Sequence, residues 1–255
     1  MYFDKFYISG SEGKRLSALL FFPEGKPLFK LVVAHGFRGK KENSGRIEQF
    51  ASKIADIGGA LLCFDFSGCG ESEGSFADLT LSRQIEDLLK AAGYAMEHLE
   101  GPLVILGRSF GGTTALAAVA SLPVVAGLVL WSAPVLLEET FSPLLAGIKI
   151  ETEDDLMWIE DQDGRAALKT DLIKDFANHD FSKYIINIEN RPVLVIQGAE
   201  DVIVDPKNAD IIAGSAKGSL QLHMVEGADH RFTGYQDLRE DLTVEWLRNL
   251  ILQKD

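Results

Sequence analysis

The sequence predicts an α/β fold: a mostly parallel central sheet with helices on both faces and an antiparallel hairpin at its N-terminal end. Three observations carry that expectation. Short, wholly apolar runs such as Phe29–Ala34 (FKLVVA), 103–106 (LVIL) and 192–197 (PVLVIQ) have the composition of strands buried on both faces. Between such runs lie amphipathic stretches at helical spacing, with Ile47, Phe50, Ala51, Ile54 and Ile57 in one and Ile85, Leu88, Leu89 and Ala92 in another. At the start, two strand-like runs, 3–8 and 16–22, are joined by a segment holding Gly10 and Gly13, which reads as a hairpin turn.

In chain order, the strand at 29–34 leads to His35-Gly36-Phe37. A helix is expected over 44–58, stopping at Gly58-Gly59, and a strand over 60–66 that breaks into Ser67-Gly68-Cys69-Gly70-Glu71-Ser72. Residues 80–99 form a long amphipathic helix, 103–106 a strand and 113–122 a helix. The strand at 124–130 ends at Trp131-Ser132-Ala133-Pro134. There the alternation pauses for some 55 residues, too long for an ordinary connection, so 134–189 reads as an inserted cap and 1–133 with 190–255 as the core. Within the insert, 156–160 and 165–169 flank an Asp163-Gly164 hairpin turn, and 171–178 is helical. A strand at 192–197, a helix at 206–216 with Asp205 as N-cap, a strand at 219–225 and a closing helix at 235–252 complete the chain.

The net charge is −13, from 25 basic and 38 acidic residues, and the single small basic cluster is Arg38, Lys40 and Lys41. This excludes nucleic acid as an expected partner, since phosphate binding needs clustered cations. No apolar run reaches membrane-spanning length and no signal peptide is evident. Cys63 and Cys69, without a C-x-x-C, read as free thiols of a reducing compartment, so a cytoplasmic location is expected. No metal-ligand cluster or dinucleotide-binding unit is visible; Gly68-Cys69-Gly70 does not lead straight into a helix. Neither a cofactor nor a metal is expected, and oligomeric state is not legible.

The stretch around which the chain is organised is Gly107-Arg108-Ser109-Phe110-Gly111, set between a strand and a helix. In that context G-x-S-x-G reads as a nucleophile elbow, a strained turn that lifts the serine hydroxyl clear of the sheet. A serine hydroxyl needs a base, and the base needs a partner that fixes its tautomer. Of five histidines, His98 ends a helix, His179 lies in the insert and His223 lies inside a strand. His35 follows the first parallel strand, in the place of an oxyanion loop. His230, after the last strand in Gly227-Ala228-Asp229-His230, has the setting of the base. Glu200, Asp201 and Asp205 follow the penultimate strand. Asp205 precedes Pro206 and suits a helix cap, and Asp201 stands at the loop apex as the expected acid. His35, Ser67, Ser109, Trp131, Asp201 and His230 all fall just after strands, so they converge on the rim where such sheets bind ligands.

Together, His35-Gly36-Phe37, the 65–72 turn, the 107–111 elbow, the 198–201 loop and the 227–230 loop resemble the α/β-hydrolase superfamily over nearly the whole chain outside the insert. Within it the chain is similar to serine-aminopeptidase-like hydrolases and small cinnamoyl or feruloyl esterases. It departs at Arg108, where many relatives carry histidine. The resemblance implies the α/β-hydrolase fold and an oxyanion hole from the backbone N–H groups of Phe37 and Phe110. It also implies a serine hydrolase acting on a small-molecule ester through an acyl-enzyme. A peptidase, a thioesterase or a catalytically silent receptor are the other readings. His35, Arg38, Trp131, Phe141 and Trp158 are the candidate substrate contacts, the last two because Phe141, Leu144, Leu145, Met157 and Trp158 give the insert more large apolar groups than a solvated loop needs.

Overall fold

A computed structural model describes residues 1–145, 150–151, 155–161, 164–188 and 191–252. The elements run β1 (Tyr2–Ser9), β2 (Arg15–Phe22), β3 (Phe29–Ala34), α1 (Ile47–Ala55), β4 (Gly59–Phe64), α2 (Leu81–His98), β5 (Leu103–Arg108), α3 (Phe110–Val119) and β6 (Val125–Trp131). Then come α4 (Leu137–Leu145), β7 (Ile150–Glu151), β8 (Leu156–Asp161), β9 (Gly164–Lys169), α5 (Asp171–Phe176) and α6 (Phe181–Ile186). The chain ends with β10 (Val193–Gly198), α7 (Lys207–Ser215), β11 (Leu220–Val225) and α8 (Gln236–Leu252).

Eight strands form one sheet in the order β1-β2-β4-β3-β5-β6-β10-β11. β1 pairs antiparallel with β2, and β2 antiparallel with β4; from β4 onward every pairing is parallel. All residues of β3, β4 and β10 are buried, as strands covered on both faces must be. The alternation of side chains divides them between two cores. Leu31, Val104, Leu106, Val129 and Leu194 meet α1 and α8 through Phe50, Ile54, Trp246 and Leu247. Val32, Ile105, Leu128 and Val195 meet α2, α3 and α7 through Leu88, Leu116, Val119 and Ile212. Each such side chain contributes roughly 1.5–3 kcal/mol by leaving water.

Several boundaries differ from the sequence expectation for local reasons. α1 starts at Ile47 rather than 44 because Asn43 and Ser44 take φ of 48° and 57°, which no helix accepts. α3 starts at Phe110 rather than 113, because Gly111 and Gly112 are part of the helix itself. β4 stops at Phe64, and Asp65 turns inward to an ion network. There its carboxylate accepts Lys41 N (2.7 Å), Lys41 Nζ (2.7 Å) and Glu71 N (3.0 Å). Burial works against the Lys41 charge, yet Asp65, Glu71 and Glu42 hold its pKa above the ordinary lysine value.

Between β6 and β10 the chain builds a separate three-stranded sheet, β7-β8-β9, together with α4, α5 and α6, the last of which packs on α3 and α7. β8 and β9 pair antiparallel, as expected. Asp163 of the expected turn and residues 189–190, where the return to the core was expected, lie outside the described residues. α4 and α6 were not anticipated: Pro143 lies inside α4, and α6 is one short stretch behind its N-cap, Asp180, which accepts Lys183 N–H.

This segment is fastened to α2 by Asp175. Its carboxylate accepts the Ser82 N–H (2.9 Å) and hydroxyl (2.7 Å), satisfying an orphan donor in the first turn of α2. His179 Nε2 lies 3.3 Å from the same carboxylate, and Tyr184 Oη 2.9 Å from His179 Nδ1. Burial favours the protonated acid, but the Ser82 donors and Asn178 outweigh it and hold the Asp175 carboxyl below its usual range. A folded-state pKa below the unfolded one stabilises above the unfolded value and ceases to do so as pH falls through the folded one. Asp175→Ala is therefore expected to cost about 1 kcal/mol, or about 2–4 °C in Tm at pH 7, and the gap to wild type should close as pH is lowered below about 4. Paired thermal melts at pH 7 and pH 3 check this; a gap that does not narrow in acid would rule it out.

Candidate active site

Ser109 joins β5 to α3 with φ 52° and ψ −127°, a backbone conformation that a side-chain-bearing residue rarely adopts. Its surroundings hold it there. The Ser109 N–H donates to Trp131 O (2.7 Å) on β6, and its C=O accepts from Gly112 N (2.7 Å) and Thr113 N (3.2 Å). A Cβ at Gly107 would collide with the Gly111 carbonyl oxygen, and one at Gly111 with that of His35, so the turn closes only without side chains there.

His230 and Asp201 arrive on neighbouring loops that are joined by backbone bonds: Glu200 N donates to Ala228 O (3.0 Å) and Ala199 N to Val225 O (3.0 Å). In the His230 loop the Asp229 carboxylate accepts Thr233 N–H at 2.8 Å, which holds its pKa below the usual range. His230 Nε2 stands 3.0 Å from Ser109 Oγ, and His230 Nδ1 stands 2.8 Å from Asp201 Oδ2. Asp201 is buried. Its Oδ1 accepts Ile203 N (3.0 Å) and Val204 N (2.8 Å), and its Oδ2 also accepts Gln197 Nε2 (3.0 Å). With Nδ1 donating to this carboxylate, the neutral ring of His230 turns the lone pair of Nε2 toward the serine. The three side chains expected at the rim are thus within hydrogen-bond reach in the order serine, imidazole, carboxylate. Asp205 accepts Lys207 N at 2.9 Å at the start of α7 and makes no bond to His230.

The other candidates are placed differently. His35 is buried and uses both ring nitrogens internally, Nδ1 on Gly36 O (2.8 Å) and Nε2 on Phe66 N (3.1 Å), so it is not free to contact substrate. Trp131, expected as a substrate contact, is not one either: its indole points into the α1/α8 core, donates to Thr243 Oγ1 (3.0 Å) and carries the Arg239 guanidinium at 4.0 Å. Burial lowers the pKa of that arginine to about 9. Arg38, at φ 55°, donates from Nη1 to Gly164 O (2.8 Å) and so reaches β9 rather than bare solvent. Phe141 is buried against Phe37 (5.3 Å between ring centroids), Phe110 (5.3 Å) and Phe176 (5.2 Å). Trp158 lies under Arg165 at 4.1 Å. A small cavity is lined by His35, Asn43, Phe50, Arg108 and Trp131, and Ser109 is not among its lining residues.

Two supporting residues escaped the sequence reading. Gln197 donates to Asp201, Gly198 O and Val204 O, and its signal was a polar residue closing the apolar run PVLVIQ. Asn208 accepts Val135 N (2.8 Å) and Leu136 N (2.9 Å), binding α7 to the start of the 134–189 segment; nothing in its local sequence announces this. Among the described residues, one group of three carboxylates, Glu42, Asp65 and Glu71, brings oxygens within 4.8 Å of one another, but Lys41 Nζ bonds all three at 2.7–2.9 Å and supplies the cation itself.

A mostly parallel sheet with an N-terminal antiparallel hairpin, carrying such an elbow at its rim, defines a member of the α/β-hydrolase superfamily. Residues 25–162 match the family described as serine aminopeptidase, S33, and the chain belongs to that family. It is similar to the mitochondrial palmitoyl-protein thioesterase ABHD10 of Pongo abelii, 26% identical over 200 residues; the match covers 76% of this chain and 63% of that protein, so the chain spans less than two thirds of that relative. It is also similar to the monoglyceride lipase of Rattus norvegicus, 24% identical over 262 residues, covering 90% of this chain and 84% of the relative. Among solved structures, Est1E of Butyrivibrio proteoclasticus with ferulic acid bound superposes with a TM-score of 0.85 at 23% identity, over 97% of this chain and 99% of that one.

Asp201→Asn is expected to lower kcat by up to about 10⁴-fold, since an amide N–H facing Nδ1 forces the imidazole into the tautomer that cannot accept the serine proton. Asp205→Asn should leave kcat within about twofold, because asparagine also caps. Turnover of a p-nitrophenyl ester at matched Tm measures both; the reverse ranking would remove Asp201 from the relay.

Proposed function

We propose that this chain is a serine hydrolase that cleaves carboxylic esters of small acyl or aryl substrates through an acyl-enzyme. The observation that carries the reading is the unbroken relay from Ser109 through His230 to Asp201, at 3.0 and 2.8 Å, with the serine on a strained turn. In this reading Ser109 Oγ attacks the carbonyl carbon as His230 Nε2 takes its proton. Asp201 stabilises the imidazolium, and the proton passes to the leaving oxygen. Water then repeats the sequence and frees the acid. The N–H groups of Phe37 and Phe110 receive the oxyanion of each tetrahedral intermediate.

The 134–189 segment is, in the same reading, the cap that roofs the acyl or aryl group. Support comes from the rings of Phe141 and Phe176, which stand against Phe37 and Phe110, the two residues whose amides form the hole. A thioesterase is the second reading, favoured by the likeness to ABHD10. The relay serves both, since a thioester presents the same carbonyl.

Ser109→Ala is expected to reduce ester turnover by roughly 10⁶-fold without loss of fold, and to abolish stoichiometric labelling by a fluorophosphonate. Retention of more than a few per cent of activity would sink the assignment. Relative kcat/KM across matched acyl esters, aryl esters, thioesters and aminoacyl amides then ranks the substrate classes. Ester preference is expected, and a thioester preference would shift the assignment to the second reading. In a crystal of the phosphonylated protein, one phosphonyl oxygen should lie about 2.7–3.1 Å from both the Phe37 and Phe110 nitrogens; an oxygen turned away from them would place the hole elsewhere.

A further inference from the structure

His35 is buried at the tip of β3, one residue before the loop that carries Phe37, and it serves neither as base nor as substrate contact. Its hydrogen bonds leave no freedom of tautomer. Phe66 N–H can only donate, so His35 Nε2, 3.1 Å away, must accept. A neutral imidazole then carries its proton on Nδ1, and Nδ1 faces the Gly36 carbonyl oxygen at 2.8 Å, which can only accept. Burial pushes the pKa of the ring below the ordinary histidine value, with Arg108 acting in the same direction, so the neutral form is the resident one. The ring is also wedged edge-on against Phe66, with centroids 4.9 Å apart.

The bond to Gly36 matters because of the peptide to which it belongs. Gly36 O accepts a second bond, from Gly39 N (2.9 Å), so two donors hold that oxygen on one side. No peptide bond among the described residues is cis, and in a planar trans peptide the C=O and the following N–H point in opposite directions. The N–H of Phe37 is therefore turned away from His35 and Gly39. Gly36 itself lies against the elbow: a Cβ built on it would stand 3.1 Å from Ser109 Cβ and 3.7 Å from Ser109 Oγ. Having no side chain, Gly36 would otherwise flip at little cost, and a flip would present a carbonyl oxygen to the developing oxyanion in place of an N–H.

We propose that His35 is a positioning residue that locks the Gly36–Phe37 peptide against this flip, so that the Phe37 N–H stays aimed at the acyl oxygen held by Ser109. The lock is relayed from the loop after β4: the Phe66 amide sets the tautomer, and the tautomer sets the peptide. This rests on the serine-hydrolase reading above.

Two amide variants separate the two ends of the ring. His35→Asn retains a donor near the Nδ1 position, and His35→Gln retains an acceptor near the Nε2 position while losing the donor to Gly36 O. His35→Gln is expected to lower kcat about 10–100-fold with KM within about threefold, and to weaken a boronic acid that mimics the tetrahedral intermediate by the same factor as kcat. His35→Asn is expected to recover most of both. A folded His35→Gln protein with kcat and boronate affinity within about threefold of wild type would overturn the proposal. Equal losses in both variants that merely track a fall in Tm would overturn it too. Should neither variant fold, nitrogen NMR of the wild-type ring decides: a proton on Nδ1 supports the lock, and one on Nε2 overturns it. Wild-type protein that takes no fluorophosphonate at Ser109 would instead sink the serine-hydrolase reading, whereas a labelled wild type with the Nε2 tautomer sinks only the lock.

Discussion

Ser109 sits at φ 52°, and the rim of the sheet is built to keep it there. Such a conformation costs of order 1–3 kcal/mol and persists only where neighbours over-determine it. Here β6 accepts the serine amide, α3 donates to the serine carbonyl, and the backbones of residues 34, 35 and 111 close to contact where no side chain intervenes. The strain has a chemical return. It directs the hydroxyl out of the sheet toward His230 and leaves the first amide of α3 at its side.

The rest of the rim obeys the same logic of indirect support. The three reach-defining residues come from loops after β5, β10 and β11, and loops alone drift. Backbone bonds between the second and third loops, and four donors turned on Asp201, remove that freedom. Gln197 is part of this: its amide spreads two hydrogens over three acceptors at the base of the Asp201 loop. The hydrophobic cores on either face fix the strands, and polar contacts at the strand ends convert that rigidity into atomic positions.

The segment between β6 and β10 is joined to the core by different means. One apolar contact is a cluster in which Phe37 and Phe110, with Leu79 and Leu81, meet Phe141 and Phe176; a second is made by Ile185 and Ile188, which join the core beneath α2, α3 and α7. Alongside these contacts stand polar fastenings, Asp175 to Ser82, Lys169 to Asp78 and Arg38 to Gly164. Arg38 directly follows Phe37, so the β9 end of this segment touches the loop that His35 steadies from below.

The strand and helix order of the core was legible in the sequence, and so were Ser109, Asp201 and His230 as the residues to be brought together, because each lies in a loop that follows a strand and short-range pattern suffices to find such loops. Position after a strand does not say which face a side chain takes. Trp131 and His35 were legible as rim residues, yet one belongs to the α1/α8 core and the other to a buried hydrogen-bonded pair, since the direction of a side chain depends on what covers each face. The tertiary structure alone decided the partners of Gln197, Asn208, Asp175 and Lys41, all of them polar groups made to work by burial. Lys41 bonds Asp65 across 24 positions, Asn208 bonds Val135 across 73 and Asp175 bonds Ser82 across 93, and no local periodicity encodes a hydrogen bond made across the fold.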